Sequence, residues 1–178
     1  MIELSSKLAR MPFINFIAYQ MTWFACIVSA AKGSPWIGSL CALIVVFWHL
    51  SAASKPKDEL ALIAVAGIIG LVWESLLVYF GFISYPSGNF LPGIAPHWII
   101  ALWLVFATTF NVSLKWFKQH LAIVSLLGCL GGPLAFYAGG AMGALTLEPN
   151  LGLLSIAIGW GLMMPLLLLL ARRFDGMN

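Results

Sequence analysis

Six apolar runs, each about as long as a helix needs to cross a bilayer, follow one another between residues 12 and 170, divided by short polar or Gly- and Pro-bearing linkers. A bilayer core about 30 Å thick takes roughly 20 apolar residues per helical crossing. Because its interior offers no water to backbone N–H and C=O groups, only helices or closed barrels cross it. A barrel needs strands of about ten residues alternating apolar and polar, whereas these runs are apolar on every side. The expected fold is therefore all-α: a polytopic membrane protein, one domain over 1–178, with about six transmembrane helices near 12–31, 35–53, 60–80, 96–115, 121–141 and 151–170. Composition agrees, since only 8% of the 178 residues are charged, against roughly 25% in a soluble domain. Lys7 and Arg10 before an apolar run ending in Val28-Ser29-Ala30 imitate a secretory signal, but the run is long and is read as a retained first helix.

Charge sets the expected orientation. With the N-terminus inside, Lys7, Arg10, Lys55, Lys57, Lys115, Lys118, Arg172 and Arg173 fall on the inner side and only Lys32 on the outer. Basic segments resist translocation, so both termini are expected in the cytoplasm, with the chain a multi-pass protein of a bacterial inner membrane. The net charge of +3 is accounted for by anionic lipid headgroups, and no nucleic-acid partner is expected. Cys26, Cys41 and Cys129 lie inside apolar runs without paired spacing, so neither a disulfide framework nor a metal site is signalled. No nucleotide-binding loop or nucleophile elbow occurs, and no cofactor is expected.

Aromatic and small residues suggest how the spans pack. Trp36 and Trp98 fall at the expected outer boundary, and Trp48 and Trp116 at the inner one, where an indole anchors. Trp23, Trp73, Trp103 and Trp160 are deeper, and pack the bundle or line an aromatic cavity. Gly67 and Gly70, Gly128 and Gly132, and Gly152, Ser155 and Gly159 mark close helix approach, which assigns spans three, five and six to the centre. Gly131-Gly132-Pro133 predicts a mid-membrane kink in span five, and Pro165 another in span six.

Glu74 is the only carboxylate deep in these spans. An intramembrane acid is costly unless it faces protein or water. Gly67 and Gly70 lie within about 60° of it on a helical wheel, so it should point into the bundle. Desolvation penalises the carboxylate, leaving a protonated group that acts either as packing glue or as a candidate catalytic acid. Tyr137, one turn beyond Pro133, is at similar depth and is the first partner to name; His97 is a second candidate, or else an interfacial hydrogen-bonding residue. Residues 81–95 carry no charge and several Gly and Pro, and predict an irregular cap at the outer surface. Phe82, Tyr85, Trp73, Trp98 and Trp103 are the candidate lipid-binding residues. Asn15, Gln20, His49 and Asn111 form a candidate inner polar cluster with a structural role.

Asn15…Trp23, Pro35-Trp36-Ile37-Gly38, the acid-bearing third helix followed by Gly81, Pro96-His97-Trp98 with Leu102-Trp103, and Gly132-Pro133…Tyr137-Ala138-Gly139 together resemble an uncharacterised family of small bacterial inner-membrane proteins, over most of the chain. The family has no established activity; the occurrence of its members beside fatty-acid-modifying enzymes implies a lipid role. More locally, Glu74, Gly81-Phe82-Ile83-Ser84-Tyr85, Pro92-Gly93, Pro96 and Trp103 are similar to the pattern of membrane carotenoid hydratases and cyclases, which implies an acid that protonates a polyene. A second deep carboxylate, which cyclase chemistry would call for, is missing.

The leading expectation is a membrane protein that binds or modifies an apolar lipid or isoprenoid between spans three, four and five, near the outer leaflet. The competing classes are a small transporter or flippase-like carrier and a non-catalytic subunit of a lipid-modifying complex. Whether the chain is an enzyme, its partner protein and its oligomeric state are not legible.

Overall fold

The computed structural model describes Lys7 and residues 10–178; the 1–178 domain expectation also covers residues 1–6, 8 and 9, which lie outside the described residues. Its helices are α1 (Pro12–Ala31), α2 (Trp36–Ala52), α3 (Pro56–Tyr79), α4 (His97–Ala107), α5 (Leu121–Ala141) and α6 (Gly152–Arg173), with a 3₁₀ segment, Lys115–Gln119, before α5. Two-residue strands β1 (Ile83–Ser84) and β2 (Thr146–Leu147) pair antiparallel.

Local chemistry explains the boundaries. Pro12 and Pro56 open α1 and α3 in their first turns, where the missing N–H costs nothing. Asp58 and Glu59 in the first turn of α3, and Arg172 and Arg173 in the last turn of α6, complement the helix dipoles. Gly81 (φ +72°) closes α3, with Phe82 N–H donating to Leu77 O at 2.9 Å; this left-handed turn, cheap only for glycine, sends the chain back over the bundle. At the start of α6 the Glu148 carboxylate accepts the N–H groups of Leu151, Asn150 and Gly152. These bonds, Leu151's foremost, hold it below the usual carboxylate range.

Four helices, α1, α3, α5 and α6, are long and apolar enough to cross a membrane; α2 and α4 are shorter. The expected fourth span, 96–115, is shorter as a helix because α4 ends at Ala107. There Thr108 and Thr109 hydroxyls bond the carbonyls of Val105 and Phe106 (2.7 and 2.6 Å), and backbone bonds tighten to the i−3 type.

The centre also differs from the expectation. The buried helix is α4, with Trp98, Ile99, Ala101, Leu102, Trp103, Val105 and Ala107 all covered, packed among α1, α2 and α3. Span five instead lies at the edge, α5 packing along α6. Glycines do set these approaches: a methyl on Gly70 would fall 2.2 Å from Trp103 Cγ, on Gly132 2.5 Å from Trp160 Cγ, and on Gly159 2.0 Å from Trp73. Pro133 and Pro165 both sit inside continuous helices.

The two ends of the bundle are chemically distinct. At one end, Arg10 donates to Ala52 O (2.9 and 2.6 Å), Lys118 pairs with Asp175 (2.8 Å), and Lys55 N–H bonds Gly176 O (2.9 Å). The opposite end is roofed by residues 80–96, which form no helix, as the sequence suggests. Ser87 Oγ pins this roof to Ala30 O (2.8 Å), and Ala95 N–H pins it to Ser75 Oγ (3.1 Å).

Candidate functional site

Glu74 lies in the last two turns of α3 and is 0% exposed. The Gly81 turn brings the roof residue Tyr85 back toward α3, where its hydroxyl donates to Glu74 Oε2 at 2.8 Å. Trp103 on α4, admitted by Gly70, donates its indole N–H to Glu74 Oε1 at 3.0 Å. Each carboxyl oxygen thus has one neutral donor, and among the described residues no cation shares the site. The roof fixes Tyr85 in turn: Asn89 Nδ2 donates to Tyr85 O (2.7 Å), and the ring meets Trp98 edge-on at 5.5 Å. Burial first, and the neighbouring Glu74 second, raise the Tyr85 phenol well above its ordinary range. It therefore remains a protonated donor at any physiological pH.

Below Glu74 lies a cavity of about 230 Å³, larger than the roughly 150 Å³ apolar cavity that suffices for a benzene. Tyr19 and Trp23 of α1, Trp103 and Phe106 of α4, Gly131 and Phe136 of α5, and Trp160 of α6 are among its walls, and among the described residues Glu74 is its one carboxylate. Trp103 and Trp160 stack at 5.0 Å. Near the roof α1 and α5 close on each other, since a methyl on Gly139 would fall 3.3 Å from Ile27 Cδ1. Further from it, Leu127 and Gly131 both line the cavity and reach the surface of the bundle, so the cavity meets the side of the protein along α5.

Several expected site residues are placed elsewhere. Tyr137 is not the partner of Glu74: it is 63% exposed on the outer side of α5, because that helix turns its glycine face to α6. His97 is not beside Glu74 either; Ser39 Oγ lies 2.8 Å from its Nδ1, and its ring stacks on Trp36 at 3.9 Å. Trp98 is no boundary anchor, being 0% exposed with its indole donating to Ser87 O at 3.1 Å, whereas Trp36 and Trp116 are exposed as anchors would be. Of the deep tryptophans, Trp23, Trp103 and Trp160 line the cavity, while Trp73 packs on Gly159. Phe82 serves the connection to β2, its carbonyl accepting Glu148 N–H at 3.0 Å. The cavity does not lie between spans three, four and five alone, since α1 and α6 supply walls and α3 supplies only Glu74.

Sequence reasoning missed Glu59. It is 0% exposed, with His49 Nε2 2.7 Å from Oε2, and Gly176 N–H (3.0 Å) and the Asn111 amide on Oε1. His49 and Asn111, both expected in an inner cluster, each bond Glu59, but Asn15 bonds instead to Thr108 O and Ser113 (3.3 and 2.7 Å).

A helical bundle with four membrane-length apolar helices around an internal apolar cavity defines the chain as a membrane protein. Residues 12–166 match the family model described as a protein of unknown function (DUF2878), and the chain belongs to that family. No curated protein and no solved structure matches it.

Proposed function

We propose that this membrane protein holds the hydrocarbon part of a lipid or isoprenoid in the cavity below Glu74, entered from the bilayer along α5. The observation that carries the reading is the wall chemistry: aromatic, aliphatic and glycine surface with one carboxyl group at its edge. Such a wall suits an apolar chain, whose transfer from water is favourable by about 25 cal/mol per Å², and offers little to an ion or polar solute. Glu74 is the candidate acid of the site, because it is the one carboxyl group on the described wall, and a carboxylic acid gives up a proton far more readily than the Tyr19 phenol, the wall's other hydroxyl. The local resemblance of residues 74–103 to carotenoid hydratases has no counterpart among the matches and adds no weight.

In this reading the basic end faces the cytoplasm and the roof faces outward, supported by the eight basic residues assigned to one side against Lys32 alone on the other. The cavity then lies nearer the outer leaflet of a bacterial inner membrane.

Mass spectrometry of lipids co-purified with gently solubilised protein tests the proposal. A methyl built on Gly131 meets nothing within 4 Å, so Gly131→Leu fills cavity space without a backbone clash. The wild type should carry a stoichiometric apolar lipid and Gly131→Leu should lose it. Equal, non-stoichiometric bulk lipid in both would sink the idea.

A further inference from the structure

Two hollows flank the Tyr85–Glu74 pair. On one side is the apolar cavity, with Glu74 in its wall. On the other is a cup of about 470 Å³ formed by the roof, whose lining includes Tyr85, Ser84, Asn89 and Gly93. Tyr85 is thus the residue common to the cup and to Glu74, its hydroxyl reaching Oε2 at 2.8 Å. The other carboxyl oxygen is occupied by Trp103, an indole N–H that donates but has no lone pair to accept a proton in return. A tyrosine hydroxyl does both. Among the described residues the cavity wall holds one other hydroxyl, that of Tyr19 on α1, and it is not a hydrogen-bond partner of the carboxyl, whose two partners are Tyr85 and Trp103.

We infer that Tyr85 is the proton relay of Glu74: it connects the buried carboxyl to water in the roof cup, so that Glu74 exchanges protons with the roof side of the protein and not through the lipid cavity. The inference rests on the reading of Glu74 as a working acid and adds where its proton comes from. In the step that recharges the acid, a hydronium ion entering from the cup forms a new O–H bond at Tyr85 Oη. As it does so, the original Tyr85 O–H bond breaks and its proton goes to Glu74 Oε2. The products are water, neutral tyrosine and a neutral carboxylic acid, and rotation of the hydroxyl resets the donor. Tyr85 touches no bound chain in this scheme and is a positioning and relay residue. Trp98 against its ring and Asn89 on its carbonyl hold it in line.

Infrared spectroscopy of the full chain in lipid-free detergent solution tests this without any substrate. The protonated carboxyl band that disappears in Glu74→Gln identifies Glu74, and its shift on transfer to deuterium oxide times proton exchange. Tyr85→Phe keeps the ring and its contact with Trp98 but removes the hydroxyl, and should slow exchange roughly tenfold or more. Gly131→Leu, which occupies the cavity, should leave the rate unchanged. Exchange as fast in Tyr85→Phe as in wild type, exchange slowed by Gly131→Leu instead, or no Glu74-dependent protonated band at neutral pH would each overturn the relay. Should Tyr85→Phe fold poorly, Ser84→Trp, placed in the lining of the cup, supplies the same comparison by obstructing water. Loss of lipid binding in Gly131→Leu with no effect of Tyr85→Phe on exchange would remove the relay and leave the proposed function standing.

Discussion

Helix α3 buries two carboxylates about 22 Å apart by helical rise, and they are held in different ways. Glu59, at the basic end, is tied by His49, Asn111 and the Gly176 backbone, and clamps the C-terminal residues against the start of α3. Glu74, at the roof end, has one neutral donor per oxygen and stands at the wall of a cavity. A carboxylate surrounded by donors from three segments is fixed in place. One with two neutral partners and an open apolar space beside it is held by fewer bonds and faces a space a ligand could enter. The difference in coordination, and not the depth of burial, separates a structural acid from a candidate catalytic one.

The contrast can be broken most severely at Glu59. Glu59→Ala should cost about 3–5 kcal/mol, because it leaves His49, an amide and a backbone N–H buried without their acceptor. The cost would show as a large fall in unfolding temperature, with new proteolytic cleavage after Phe174. Gly70→Ala should cost about 1–3 kcal/mol by forcing Trp103 off its site and off Glu74, visible as loss of stability together with a changed tryptophan emission.

Glu74→Gln should cost only about 1 kcal/mol. Its carbonyl can still accept from Trp103 while Tyr85 turns to accept from its amide, so folding and lipid binding persist while any proton-dependent turnover is lost. If Glu74→Gln proved as destabilising as Glu59→Ala, the distinction between the two acids would collapse. The Lys118–Asp175 pair adds a smaller, pH-dependent contribution to the clamp. Partial burial pushes the Asp175 carboxyl up, but its hydrogen bond and attraction to Lys118 win and hold it below the ordinary range. A depressed acid stabilises above its unfolded value and loses that contribution as pH falls through its folded one. The C-terminal residues should therefore loosen only in acid, which amide hydrogen exchange can follow. Smallest of all, Tyr137→Phe should change stability by less than about 0.5 kcal/mol, since its side chain faces away from the bundle.

That last case shows what sequence could and could not provide. Tyr137 was expected beside Glu74 from depth alone, yet it lies about 140° around the helix from Gly132, so the glycine stripe itself already placed it on the far side. Glu74 and its inward direction were legible, because an intramembrane acid and small-residue faces constrain which side of a helix is buried; the four deep tryptophans were open between packing and a cavity wall, and Trp23, Trp103 and Trp160 turned out to line one while Trp73 packs. Tyr85 was legible only as one aromatic of an irregular cap. Its approach to Glu74 depends on the Gly81 turn and on contacts of the roof with three other helices. The centrality of α4 was hidden because a run apolar all round reads the same in lipid as in a protein core. Glu59 was hidden because its burial comes from a C-terminal segment over a hundred residues away, which no local pattern announces.

The central claim, a cavity beside Glu74 that holds an apolar chain, is tested most directly by photocrosslinking. A lipid carrying a photoreactive group midway along its acyl chain is incorporated with the protein into vesicles, and labelled residues are mapped by mass spectrometry. The account predicts saturable labelling of cavity residues such as Leu127, Phe136 and Met164, abolished in Gly131→Leu, over a non-saturable background on the outward residues Leu126, Leu130 and Leu134. Labelling confined to those outward residues and unchanged in Gly131→Leu would contradict it.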